Sequence, residues 1–170
     1  MVPLDRLANP LHQVIAIASA VLVLASPWLG MYQRMPEEPG IVNLTHVMVG
    51  LALLPLAALY FAGCVHGGRW RLYFPWLDGR FRTLRDDVTG MLRGERPASE
   101  GGGLFATIEG LLLLALLAAA LTGALWFFTQ GLESAIVWRG QHMLAARAFV
   151  VLLLLHVVAV ALHLLDFVRG

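Results

Sequence analysis

The chain has 170 residues, of which 59% are hydrophobic and 14% charged, with a formal net charge of +1. That leaves too little polar surface to cover a water-soluble globule, and a nucleic-acid partner is not expected. A single cysteine, Cys64, excludes an internal disulfide and any four-cysteine iron–sulfur or zinc site within the chain.

Four apolar segments, Leu11 to Met31, Ile41 to Val65, Leu104 to Phe128 and His142 to Val168, are near or above the length of about 20 residues that crosses a bilayer. Backbone groups in lipid must be satisfied internally, so each segment is predicted to be a helix. The expected fold is all-α: an integral membrane four-helix bundle forming a single domain over residues 1–170.

Asn9-Pro10 is a helix-start signal, and His12 falls within the first turn or so of the first segment. Arg6 before it and Ala18-Ser19-Ala20 within it imitate a secretory signal. The hydrophobic stretch before that site is too short, however, and apolar character runs on through Val21 to Ala25, so a spanning helix is expected. Pro27 should bend or end it. After the short acidic loop MYQRMPEEPG, the second helix carries His46 about one turn inside, with Gly50 four residues later on the same side. A glycine there lets a flat ring lie close to the backbone. Pro55 is a kink point, and Gly67-Gly68 should end this helix just beyond His66.

The connection over residues 68–103 has an aromatic, basic part (RWRLYFPWLDGRFR), an amphipathic stretch from Thr83 to Leu92 and a glycine lead, Gly101-Gly102-Gly103. Its composition suits a collar in the headgroup layer; the sharper readings are a docking surface for a cytoplasmic partner or a wall of a quinone pocket. The third helix has no histidine but carries Glu109 about one turn in. A carboxylate at that depth is either a functional group or one that snorkels to the interface. Thr122-Gly123 should allow close helix packing. Arg139, three residues before His142, is placed to pair with an anionic cofactor group, whereas Arg147, about 140° around the helix from His142, is directed to a neighbouring helix or partner.

Orientation follows from arginine, since the chain has no lysine. Seven arginines, Arg69, Arg71, Arg80, Arg82, Arg85, Arg93 and Arg96, lie in the connection between the second and third helices, and Arg6 and Arg169 fall on the same side. Only Arg34 and Arg139 mark the other side. The positive-inside rule then puts both termini and the long connection in the cytoplasm.

The fourth segment carries His142, His156 and His163, at steps of 14 and 7 residues. At about 100° per residue these fall within roughly 60° of one face, and at about 1.5 Å per residue His142 and His156 are roughly 21 Å apart along the axis. A lone intramembrane histidine is more often a helix contact than a ligand, but these are arranged by depth. His12 and His156 belong to the cytoplasmic half, and His46 and His142 to the outer half. Each pair joins the fourth helix to a different helix, as two bis-histidine sites require. Zinc or di-iron would need carboxylate or cysteine ligands that the outer half lacks, so haem b is the better match. Depth alone also allows His163 to replace His156 opposite His12, because helices tilt by around 20°.

These features resemble the bacterial cytochrome b561 and nickel-iron hydrogenase cytochrome b superfamily, which includes the formate dehydrogenase gamma-type cytochromes. The resemblance rests on His12 early in the first helix, His46-x-x-x-Gly50 in the second, a third helix without a histidine, and His142 and His156 spaced 14 apart. It implies two haems b, held by His12 with His156 and by His46 with His142, and a place for His163 beside the inner haem or on the quinone side. It also implies a multi-pass protein of the bacterial inner membrane that exchanges electrons with quinone. Apart from the resemblance, the carboxylate of Glu109, with His163 at the same end, is expected to take or give the accompanying protons. Gln13 stands where relatives often have tryptophan. Gly63 and Cys64 occupy the region of a common arginine, and Ala106 and Glu109 replace a polar Asn and Gln in LFATIEG. Three further functions are consistent with the residues. They are the cytochrome subunit of a hydrogenase or dehydrogenase complex, a stand-alone superoxide:quinone oxidoreductase, and a haem-free membrane anchor or transporter component.

Overall fold

The computed structural model describes residues 4–31, 33–79, 81–94 and 103–169, the side chains of 4–9, 67 and 162–169 excepted. Among the described residues every regular element is helical: α1 (Leu4–Ala25), α2 (Ile41–Val65), the short α3 (Trp70–Tyr73), α4 (Arg82–Leu92), α5 (Leu104–Phe128) and α6 (Ser134–Arg169). Four stretches are long and apolar enough to cross a membrane: Pro10–Trp28, Ile41–Val65, Leu104–Phe128 and Ser134–Ala161. Many of their exposed side chains are apolar, Leu24, Leu121, Val151 and Leu154 among them, which a bilayer solvates and water does not.

Two of the expected spans have shifted ends. The first helix begins at Leu4, before Asn9-Pro10, so Pro10 lies inside it. A proline this close to the start forgoes a single helical bond, to the carbonyl of Arg6. The helix stops at Ala25 and passes into a 3-10 turn, Ser26–Trp28, with Pro27 near its start. Ser26 Oγ donates to the Val23 carbonyl at 2.8 Å, satisfying an acceptor that the missing proline N–H leaves open. α6 begins at Ser134, about two turns before His142. The intervening arginine and glutamine are good helix formers, so the helix extends beyond the hydrophobic run. Arg139 and His142 therefore share one helix face. The other helix limits are close to expectation. α2 ends in a 3-10 turn, His66–Gly68, closed by Gly68 at φ +81°. Gly131 at φ +84° reverses the chain after α5, a conformation that disfavours any residue with a Cβ.

The chain divides into two compact units. The first comprises residues 1–63 and 115–148. Its core packs Val47, Trp126 and Ala135 with Met31, Met35, Leu51, Phe127 and Trp138. Three hydrogen bonds tie the 29–35 loop to residues 130–139 of this unit: Met35 N–H to Gln130 Oε1 at 2.7 Å, Gly131 N–H to the Gln33 carbonyl at 3.4 Å, and Arg139 Nε to the Met31 carbonyl at 3.0 Å.

The second unit comprises residues 64–114 and 149–170. In it α4 is fastened to the start of α5 through Asp87, a buried carboxylate whose Oδ2 accepts the Leu104 N–H at 2.8 Å. Gly103 admits this contact, since a Cβ there would collide with the Asp87 carboxylate. Gly110 likewise lets α5 approach the Tyr73 carbonyl. Arg80, Arg96 and Gly101-Gly102 lie outside the described residues.

Candidate functional site

His46 on α2 and His142 on α6 come together in the first unit, with ring centres 6.1 Å apart and planes at 84°. Both rings are partly buried. Two imidazoles on opposite sides of one metal ion, each nitrogen about 2.0 Å from it, would have ring centres roughly 6 Å apart.

His142 is held by α5. Its Nδ1 lies 2.8 Å from the Ala119 carbonyl, which can only accept, so Nδ1 carries the proton and Nε2 keeps its lone pair. That is the tautomer a metal-ligating imidazole needs, with a backbone carbonyl as its outer partner. Gly123 makes the seat: a Cβ there would come within 3.1 Å of His142 Nδ1 and 3.2 Å of Cε1. The close approach expected of Gly123 is thus between backbone and imidazole. Thr122 bonds within its own helix, its Oγ1 donating to the Ala118 and Ala119 carbonyls at 2.6 and 3.1 Å. Nothing lies within 4 Å of a Cβ built on Gly50, so the backbone four residues after His46 borders open space, as a flat ring beside it requires. The paired rings, the preset tautomer and this open face fit haem.

His12 is exposed and stacks on Tyr60 of α2, with ring centres 5.7 Å apart and planes tilted by 33°. His156 is partly buried on α6, whereas the His163 side chain lies outside the described residues. Arg139 spends its Nε on the Met31 carbonyl, and Arg147 is exposed.

Glu109 is exposed at the start of α5, and its charge reaches Tyr73. The Tyr73 hydroxyl is raised above its ordinary pKa chiefly by burial, then by Cys64 and Glu109, while Arg69 pulls it back. Tyr73 also hydrogen-bonds Cys64. Within the second unit Tyr73 is therefore influenced by both Cys64 and Glu109.

Sequence reasoning singled out Glu109 alone of these three residues, because Tyr73 and Cys64 are not neighbours of it by any helical period. It also missed Tyr60, whose only signal is its aromatic ring near the end of α2, and the Ala119 carbonyl, which leaves no trace in residue type.

Four spans long and apolar enough to cross a membrane, with a pair of imidazoles at a separation that suits a shared metal ion, are the features of a multi-pass membrane cytochrome. The family model described as prokaryotic cytochrome b561 matches residues 4–166, and the chain belongs to that family. Membership carries haem b binding and electron transfer within a membrane. Neither the curated proteins nor the solved structures returned a significant match.

Proposed function

We propose that this protein is a di-haem cytochrome b of the bacterial inner membrane that passes electrons between its two faces and exchanges them with quinone. The pairing of His46 with His142 carries this reading, since the distance, the accepting carbonyl and the open flank at Gly50 all serve a ligated haem. The sequence resemblance assigns His12 and His156 to the second haem, with His163 as the alternative to His156. Haem supplies reversible one-electron chemistry when bound; the chain sets the potential through burial and hydrogen bonding. Gly123 and the Ala119 carbonyl orient His142, and Arg139 braces the turn above it against the 29–35 loop.

Quinone reduction takes protons as well as electrons. Glu109 is the group assigned to carry them, at the cytoplasmic end of α5 beside Tyr73. Both termini and the arginine-rich connection face the cytoplasm, and the connection lies in the headgroup layer.

A dithionite-reduced minus air-oxidised spectrum, with haem content per chain, tests the reading. Two low-spin haems b are expected, falling to one in His46→Ala and in His142→Ala. A native content of one haem means that a pair is misassigned, and retention of both haems in His46→Ala overturns the outer pair.

A further inference from the structure

Asn43 stands one turn before His46 on α2 and is 9% exposed, and its Oδ1 is buried with no hydrogen-bond partner. The Nδ1 of His46 is also buried and unpartnered. Residues three apart on a helix have Cβ atoms about 5–6 Å from each other. Helical side chains lean towards the N-terminus, so a ring at position 46 covers the turn that carries position 43. One atom can only accept a hydrogen bond, and the other donates in the tautomer a metal ligand requires. Rotation of the amide, or one buried water, would join them.

We propose that Asn43 is the positioning residue for His46: its Oδ1 accepts the Nδ1 proton, leaving Nε2 as the nitrogen that takes the iron. This rests on the reading of His46 and His142 as axial ligands. The two ligands of one haem are then held differently. His142 uses a backbone carbonyl, which no substitution removes, whereas His46 uses a side chain and is open to tuning by sequence. A stronger acceptor makes the imidazole a stronger donor to iron and favours the oxidised state.

The test compares Asn43→Leu, Asn43→Asp and Ser19→Ala in the purified haem-loaded protein, by redox titration with the two haems resolved and by electron paramagnetic resonance of the oxidised haems. Ser19 is the control, because its Oγ is the third buried oxygen or nitrogen without a partner among the described residues. Asn43→Leu should move one midpoint potential upwards and Asn43→Asp should move the same one downwards. The low-spin signal of that haem should shift while the other stays native. A packing role for Asn43 would move both variants in one direction, and that result overturns the proposal. So does an unchanged potential in Asn43→Asp, which decides the matter even where Asn43→Leu does not assemble, and so does a shift confined to Ser19→Ala. His46→Ala, run alongside, separates the two ideas: if it keeps both haems, the ligand reading itself fails.

Discussion

His142 is defined by what α5 offers it. The Ala119 carbonyl accepts from Nδ1, and the bare backbone of Gly123 leaves room for the ring. In Gly123→Ala the new methyl would press on Nδ1 and Cε1 from 3.1 and 3.2 Å, so the ring must yield by a few tenths of an ångström and strain its bond to Ala119. On the proposed di-haem reading, weaker retention of one haem and a displaced low-spin resonance for it are expected, with the other haem native. A spectrum and haem content identical to the parent's would show that Gly123 matters only for helix packing. Glu109 can be tested at the same scale. If the protein exchanges electrons with quinone as proposed, Glu109→Gln should slow that turnover while leaving the haem spectrum intact; it should also let the Tyr73 hydroxyl titrate at lower pH, because the Glu109 charge helps hold that group protonated. Unchanged turnover would remove Glu109 from proton delivery, whatever happens to Tyr73.

Among the elements, α4 has a structural duty that its sequence does not advertise. Its exposed side chains include Arg82, Arg85, Val88 and Leu92, as expected of a helix in the headgroup layer. Its buried residues are Asp87 and Gly90. Asp87 acts as an N-cap supplied from another helix, satisfying one of the donors that the first turn of α5 leaves open and placing negative charge at the positive end of that helix. Asp87→Ala should therefore destabilise the protein by about 1 kcal/mol, the usual scale of a lost cap. Asp87→Asn, which keeps an accepting oxygen, should lose less. Thermal unfolding in detergent measures both, and equal losses would mean that the negative charge, rather than packing or a neutral acceptor, supplies the stabilisation.

Across the whole molecule, family membership and four apolar spans make this a multi-pass membrane cytochrome. Its orientation is argued from charge: seven arginines fall between the second and third spans, against two on the opposite side. Fluorescent-protein fusions at the C-terminus should therefore fluoresce, and alkaline phosphatase fusions there should be inactive. The reverse pattern would invert the assignment of His46 and His142 to the outer half.

What was legible in the sequence follows from two strong constraints. Lipid demands long apolar helices, so four spans could be read from composition, with errors at Leu4 and Ser134 where polar residues continue a helix that hydrophobicity does not mark. Helical periodicity and depth then singled out His46 and His142 as partners, although they stand 96 residues apart. Only the tertiary structure brought the Ala119 carbonyl to His142, Tyr73 and Cys64 towards Glu109, and Asp87 to the N-terminus of α5. Those contacts depend on helix rotation and on backbone atoms. A carbonyl has no residue type, and packing between elements, which sets the rotation, is not encoded in the spacing within any one of them.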